Sequence, residues 1–425
     1  MIFEEEQQDQ RLKWVFSSCR NGAWGAEPDG ESDVVCIRAA DFDGRLGRLN
    51  GSERTVRSID SGTYEKLALQ VGDIILEKSG GGEKQLVGRA VLFESVEPSI
   101  NSNFLARCRP ASGMEPAFIN YLLLAIYNAR GTFPHLKQST GIQNLDLGSF
   151  LNIRVRIPPL DTQQRIARFL DEKTARIDWL IENKRALVDR LAEKRQALIT
   201  RAITKGLNPD APMKPSGIDW LGDIPKHWEV KRLSFIAEVI DCKHRTPEYI
   251  EDGIPLVSTS EIKPFKIDYS TKRRVSDEEF ELMSEGGRAP IPGDVIYSRN
   301  ASVGSAALVR DDRTLCLGQD LCIIRPRHSN SEFMEYFLNS GACLEQLSRA
   351  LVGATFKRVN VDVIKKYFSL QPSADEQFEI SSWLNGRLSA EMRNAVTIGR
   401  SLRLLGEYRV AMITAAVTGQ IAELR

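Results

Sequence analysis

Apolar residues recur along two long stretches of the chain at a helical spacing rather than a sheet spacing. Between Asp161 and Thr204 they fall at Ile166, Leu170, Ile177, Leu180, Leu187, Leu191, Leu198 and Ala202. Steps of three, four and seven residues give an average period near 3.5, that of a coiled-coil seam. Pro158-Pro159 precedes this stretch, and Asp161 is the expected N-cap. Gly206 and the prolines of the linker Leu207–Gly217 end it. A helix of that length spans about 66 Å at 1.5 Å per residue. The second stretch opens on Ser373-Ala-Asp-Glu376, the pattern of a capping box. It carries Ile380, Leu384, Ile398, Leu402, Leu405, Met412 and Ala416 on its seam. Gly386, Gly399 and Gly406 weaken it, so it is expected to lean on a partner, and the two helices pairing antiparallel would satisfy both seams.

Ahead of each helix lies a mixed segment of short β-like runs broken by Gly- and Pro-rich turns. The runs are Val34–Ile37, Asp73–Leu76 and Ile153–Ile157 in the first, and Ile254–Val257, Asp294–Tyr297 and Leu321–Ile324 in the second. The fold class expected is therefore mixed α/β (α+β), with two lobes that are each followed by a long helix.

The two halves are one unit written twice. Arg11-Leu12 matches Arg232-Leu233, and Val71-Gly-Asp-Ile-Ile75 matches Pro292-Gly-Asp-Val-Ile296. Phe118, Tyr121 and Leu123 recur as Phe333, Tyr336 and Leu338; Asp161-Thr-Gln163 recurs as Asp375-Glu-Gln377. Leu191–Thr204 lies over Leu405–Thr418 without a gap. The expected boundaries are a first lobe at 1–157, its helix at 158–206, a linker at 207–222, a second lobe at 223–371 and its helix at 372–425.

Composition narrows the class. With 425 residues, 42% hydrophobic and 27% charged, this is an ordinary globular chain of several domains. No apolar run is long enough to span a membrane, the start is acidic, and the seven cysteines form no Cys-x-x-Cys pair. Reduced, mostly buried thiols in a cytoplasmic protein are expected. The four histidines lack metal-ligand spacing. Lys+Arg and Asp+Glu balance at 57 each. Divided by segment, residues 161–205 hold 11 basic against 7 acidic side chains, while residues 1–160 hold 18 against 20. Any nucleic-acid footprint must be local.

Catalytic motifs are missing: there is no phosphate loop, no Asn/Asp-Pro-Pro-Tyr and no Ser/His/Asp set. Basic and amide residues instead gather in loops at related places. In the first lobe these are Lys78, Ser79, Arg89, Lys137, Gln143 and Asn144. In the second they are Lys243, His244, Arg245, Thr246, Ser298, Arg299, Asn300, Lys357 and Arg358. Taken singly each is an ordinary solvated group. Their recurrence beside turns in both lobes marks them as candidate DNA-binding residues, since such side chains read base edges or hold phosphates.

Several stretches together resemble the specificity subunit of Type I restriction–modification systems. They are Ile157-Pro-Pro-Leu-Asp-Thr-Gln-Gln-Arg-Ile166, Glu193–Thr200, Lys214-Pro-Ser-Gly-Ile-Asp-Trp-Leu-Gly-Asp-Ile-Pro-Lys-His-Trp-Glu229 and Thr355–Gln377. The resemblance implies two tandem target-recognition domains, each followed by a long helix, the helices forming an antiparallel coiled coil with pseudo-twofold symmetry. It implies no catalysis and no cofactor in this chain. Each lobe would read half of a split, asymmetric site in double-stranded DNA, and the helices would set the spacing. Two modification subunits that bind S-adenosylmethionine and methylate adenine would be the partners, with restriction subunits, where present, joining them. The Trp-Leu-Gly-Asp-Ile-Pro-Lys-His-Trp stretch has no counterpart before the first lobe, whose front is therefore expected to be built differently. A stand-alone DNA-modifying enzyme and a coiled-coil scaffold without a DNA role remain the rival readings.

Overall fold

Two strands, Ile74–Glu77 and Val295–Ser298, apolar up to their last residue, stand inside the two lobes and are buried throughout. Because successive side chains on a strand point to opposite faces, each strand serves two cores. Ile74 and Leu76 join one apolar cluster and Ile75 another; Val295 and Tyr297 join one and Ile296 another. The computed structural model describes residues 8–51, 53–80, 85–139, 142–352 and 358–424.

Each lobe builds the same four-stranded sheet and a similar smaller one. In the first, Phe16–Asn21, Leu105–Pro110, Ile74–Glu77 and Ala90–Leu92 form an antiparallel four-stranded sheet in that order. In the second, the order is Ala237–Asp241, Leu321–Pro326, Val295–Ser298 and Ala306–Leu308. A smaller sheet pairs Asp33–Ile37 with Ser99–Asn101 in parallel, and Ile254–Val257 with Cys316–Leu317 likewise. Strand Gln8–Arg11 closes on Arg154–Ile157, and Glu229–Arg232 on Phe368–Gln371, both antiparallel. The opening strand of the first lobe, as far as it is described, thus pairs as that of the second does. What the second lobe adds is Trp228, fully buried against Ile224 and the rest of its core.

One buried ion pair recurs in both lobes. The Arg109 guanidinium meets the Asp73 carboxylate at 2.7 and 2.8 Å, and Arg325 meets Asp294 at 2.8 Å twice. Each aspartate is 1% exposed and also accepts a backbone N–H from the preceding turn, at Gln70 or Ile291. The carboxylate's hydrogen bonds raise both guanidinium pKa values above their ordinary range. The glycines ahead of these aspartates, Gly72 and Gly293, take φ of 94° and 97°, a region open to glycine alone at low cost.

The long helices run Leu160–Lys205 and Ala374–Val417, unbroken by the three glycines of the second. Asp161 lies inside the first turn rather than at the cap, where its charge suits the helix dipole. The capping box is half formed. The Glu376 amide donates to Ser373 Oγ at 3.3 Å, while the Glu376 carboxylate accepts from Trp228 Nε1 and contacts His227 Nε2.

Two compact units emerge, residues 1–184 with 399–425 and residues 185–398. They do not follow the expected boundaries, because each takes in an end of both helices. In the first unit, Ile166, Leu170 and Ile177 share a core with Met412, Ile413 and Ala416, and Arg409 pairs with Asp178 at 2.9 Å. In the second, Ile199 and Ile203 share a core with Ile380, Leu384 and Leu388, and Lys194 reaches Glu391 at 4.0 Å. The start of one helix therefore lies beside the end of the other, as antiparallel pairing requires. The seam is well buried only where a lobe covers it. Leu180, Leu191, Leu198, Ile398, Leu402 and Leu405 are half-buried, and Leu187 is 46% exposed. Two helices alone cover one narrow stripe, so Leu187 does not act as a buried seam residue.

Six of the seven cysteines are buried and Cys19 is half-buried. No helix among the described residues is long and apolar enough to cross a membrane.

Candidate nucleic-acid interface

In the first unit the candidate residues converge through a small sheet. Leu136–Ser139 and Ile142–Leu145 form a hairpin, and Ser79–Gly80 adds to its second strand. Register places Lys137 opposite Asn144, and Asn144 opposite Ser79. Ser79 Oγ donates to Asn144 Oδ1 at 2.7 Å, and the Lys78 carbonyl accepts the Leu145 amide at 2.8 Å. Lys137 is exposed and pairs with Asp146 at 2.7 Å, which holds the Asp146 carboxyl below its ordinary range.

The second unit repeats one backbone bond of this arrangement with other side chains, without a matching sheet among its described residues. The Arg299 carbonyl accepts the Val359 amide at 3.0 Å, matching the Lys78–Leu145 bond. Arg299 therefore stands where Lys78 does, and Arg358 where Asn144 does. Asp320 gathers the loops: its carboxylate accepts from Asn300 Nδ2 at 3.1 Å and from Arg358 at 2.8 Å. Asp241 does the same for Arg299 Nη2 at 2.5 Å and His244 Nε2 at 3.3 Å. Thr246 Oγ1 accepts from Gln319 Nε2 at 2.9 Å. Lys243 pairs with Glu285, lowering that carboxyl's pKa, and Arg245 pairs with Glu279 at 2.7 and 3.1 Å.

Several expected surface residues lie elsewhere. Ser298 is fully buried, with its hydroxyl donating to the Asn300 carbonyl at 2.9 Å. Arg299 is 2% exposed, because its backbone continues an inward-facing strand and Asp241 compensates its charge. Gln143 is buried, and its Oε1 accepts the Val87 amide at 3.2 Å. Arg89 is held by the buried Glu77 carboxylate at 2.8 Å twice and by the Ala39 carbonyl at 3.2 Å. That pairing pushes the Arg89 pKa up and makes the side chain a brace of the sheet. Lys357 lies outside the described residues. The exposed or half-exposed members are Lys78, Ser79, Lys137, Asn144, Lys243, His244, Arg245, Thr246, Asn300 and Arg358. Sequence reasoning missed Asp241 and Asp320, the two acids that hold the second cluster together, since neither belongs to a basic loop.

Among the described residues, no group of three His, Cys, Asp or Glu side chains could hold a metal ion.

A family model described as the Type I restriction modification DNA specificity domain matches residues 32–189. The Type I restriction enzyme MjaVIII specificity subunit of Methanocaldococcus jannaschii is 23% identical over 248 residues, 56% of this chain and 56% of that protein. The chain thus aligns with little more than half the length of that relative. A solved chain from a study of complex assembly and conformational transition in the type I R-M system superposes with a TM-score of 0.71. It is 17% identical and covers 98% of both chains. The HsdS subunit from Thermoanaerobacter tengcongensis superposes with a TM-score of 0.50 at 16% identity, over 98% of this chain and 97% of that one. At such identities these likenesses speak for the fold. Residues 32–189 are thus similar to a Type I restriction modification DNA specificity domain, and the fold of the chain is similar to that of these two solved chains.

Proposed function

We propose that this chain is the DNA-specificity subunit of a Type I restriction–modification complex. Each lobe reads one half of a bipartite, asymmetric duplex target, and the long helices set the distance between the halves. The observation that carries this reading is the duplicated polar cluster. The same backbone bonds, Lys78 to Leu145 and Arg299 to Val359, present different side chains in the two units. A shared backbone link with divergent side chains suits the reading of two different half-sites. Lys, Arg and Asn at those tips suit phosphate contacts and base edges.

The long helices support a partner role. Phe378, Trp383, Met392 and Val396 on the second are 42% to 73% exposed, as is Trp179 on the first at 62%. Several large apolar side chains left open on the long helices support a protein contact there. We assign that contact to two modification subunits, which would bring S-adenosylmethionine and methylate adenine. Restriction subunits would join the same assembly. The chain itself supplies recognition rather than catalysis, and works in the cytoplasm.

The deciding experiment supplies the full-length chain with modification subunits and maps methylated adenines across a genome. A split motif with a fixed gap is expected. Methylation without sequence preference, or turnover by the chain alone with S-adenosylmethionine, would overturn the proposal.

A further inference from the structure

A third element completes each polar cluster, and no sequence motif announces it. In the first unit a turn leaves the strand Ser99–Asn101. The Ser102 amide donates to the Ile37 carbonyl at 2.9 Å, and the Leu105 amide to the Ser102 carbonyl at 3.0 Å. The Phe104 carbonyl then accepts the Lys78 and Ser79 amides at 3.0 and 3.1 Å. In the second unit the Gly318 amide donates to the Val257 carbonyl at 2.8 Å, and the Asp320 carbonyl accepts the Arg299 amide at 2.8 Å. These bonds align Ser102 with Gly318 and Phe104 with Asp320. The residue between is Asn103 in one unit and Gln319 in the other, and both are exposed.

An amide side chain therefore stands at the same point of both clusters, directly beside the loops that carry Lys78 and Asn300. Turn chemistry accounts for Asn103 alone, because asparagine favours turns and glutamine does not. Among the described residues, the Asn103 amide makes no side-chain hydrogen bond. Gln319 gives one N–H to Thr246 Oγ1, which fixes the amide plane and leaves its second N–H and its carbonyl oxygen free. A donor and an acceptor side by side match the N7 and N6 positions of adenine in the major groove. We propose that Asn103 and Gln319 are specificity-determining residues, each directed at an adenine edge in the half-site read by its own unit. The inference rests on the DNA-reading role proposed above.

The test uses the full-length chain with its modification subunits and a pool of duplexes randomised across both halves. Asn103→Ala and Gln319→Ala are compared with the parent by selection and sequencing of bound duplexes, and by mapping of methylated adenines. Thermal melting of each variant checks that these exposed substitutions leave the fold intact. The expected result is that each variant loses preference at one adenine in one half only, by roughly 10- to 100-fold, the range of one bidentate contact. The half read by the other unit stays as in the parent. If the parent selects a split motif and both variants select the same motif with the same preference, this inference fails and the DNA-reading role stands. Equal loosening of both halves by either variant overturns it as well. If the parent selects no motif, both readings fall together.

Discussion

The Trp228 indole donates from Nε1 to the Glu376 carboxylate at 2.9 Å, joining the front of the second lobe to the first turn of the second helix. His227 Nε2 lies 2.8 Å from the same oxygen, so one carboxylate organises both residues of the His-Trp pair. Trp228 is fully buried. Trp228→Phe keeps most of the apolar volume and deletes the donor, so a loss of about 1–2 kcal/mol is expected. Trp228→Ala should cost about 3–5 kcal/mol through the cavity it leaves. Denaturant titration of the two variants checks the order; a Phe variant as damaged as the Ala variant would show that the bond to Glu376 dominates.

Arg109→Met and Arg325→Met each strand a carboxylate that is 1% exposed. Removing one partner of a buried pair leaves an uncompensated charge, at about 3–5 kcal/mol. Arg109→Met should lower the stability of the unit that contains it, and Arg325→Met that of the other. Hydrogen exchange read by unit separates the two effects.

Gln163 and Gln377 tie each lobe to the start of its helix. Gln163 accepts the Glu115 amide at 2.9 Å and donates to the Pro158 carbonyl at 2.8 Å. Gln377 accepts the Asn330 amide at 2.8 Å and donates to the Pro372 carbonyl at 3.0 Å. Replacing either by Ala orphans buried backbone groups, for an expected loss of about 1–3 kcal/mol in thermal or denaturant melts.

Arg299 and Arg358 are neighbours in the second cluster with opposite expectations. Arg299→Met should destabilise the second unit, since Asp241 loses the guanidinium that meets it at 2.5 Å. Arg358→Ala sits on the surface and should leave stability unchanged within about 0.5 kcal/mol. It should weaken or relax only the half-site of its own unit, read by methylation mapping.

The thiols divide by burial. Desolvation pushes Cys36 up to about 11 and Cys316 and Cys322 up to about 12. A thiolate is the reactive form, so a raised pKa keeps these groups inert until pH approaches those values. Pulsed alkylation of the native chain at pH 8 should label Cys19 first, with the buried six labelled only after unfolding. Mass spectrometry of the peptides reports the order.

The duplication and both long helices were legible in the sequence, because Leu191–Thr204 over Leu405–Thr418 and the 3.5-residue apolar period are local patterns. Strands at Val34–Ile37 and Ile254–Val257 were legible from their apolar runs, to within one residue. Side-chain direction was not. Ser298 and Arg299 read as a polar loop, yet the strand they end points the serine inward, and the arginine's partner Asp241 is 58 residues away. The same distance problem hid the Arg109–Asp73 pair, 36 residues apart. Asn103 and Gln319 escaped notice because backbone bonds, not shared letters, make them equivalent.

The strand pairs Gln8–Arg11 with Arg154–Ile157, and Glu229–Arg232 with Phe368–Gln371, bring the entrance and exit of each lobe to one spot. A lobe is thus a closed cassette hung on a two-stranded stem. Two cuts at adjacent points of one stem would part that lobe's chain from its helix, leaving only the shared core and the Gln163 or Gln377 amide to hold it there. A lobe exchanged as one block of chain would therefore have to keep the core face that meets the helices and be free to vary elsewhere.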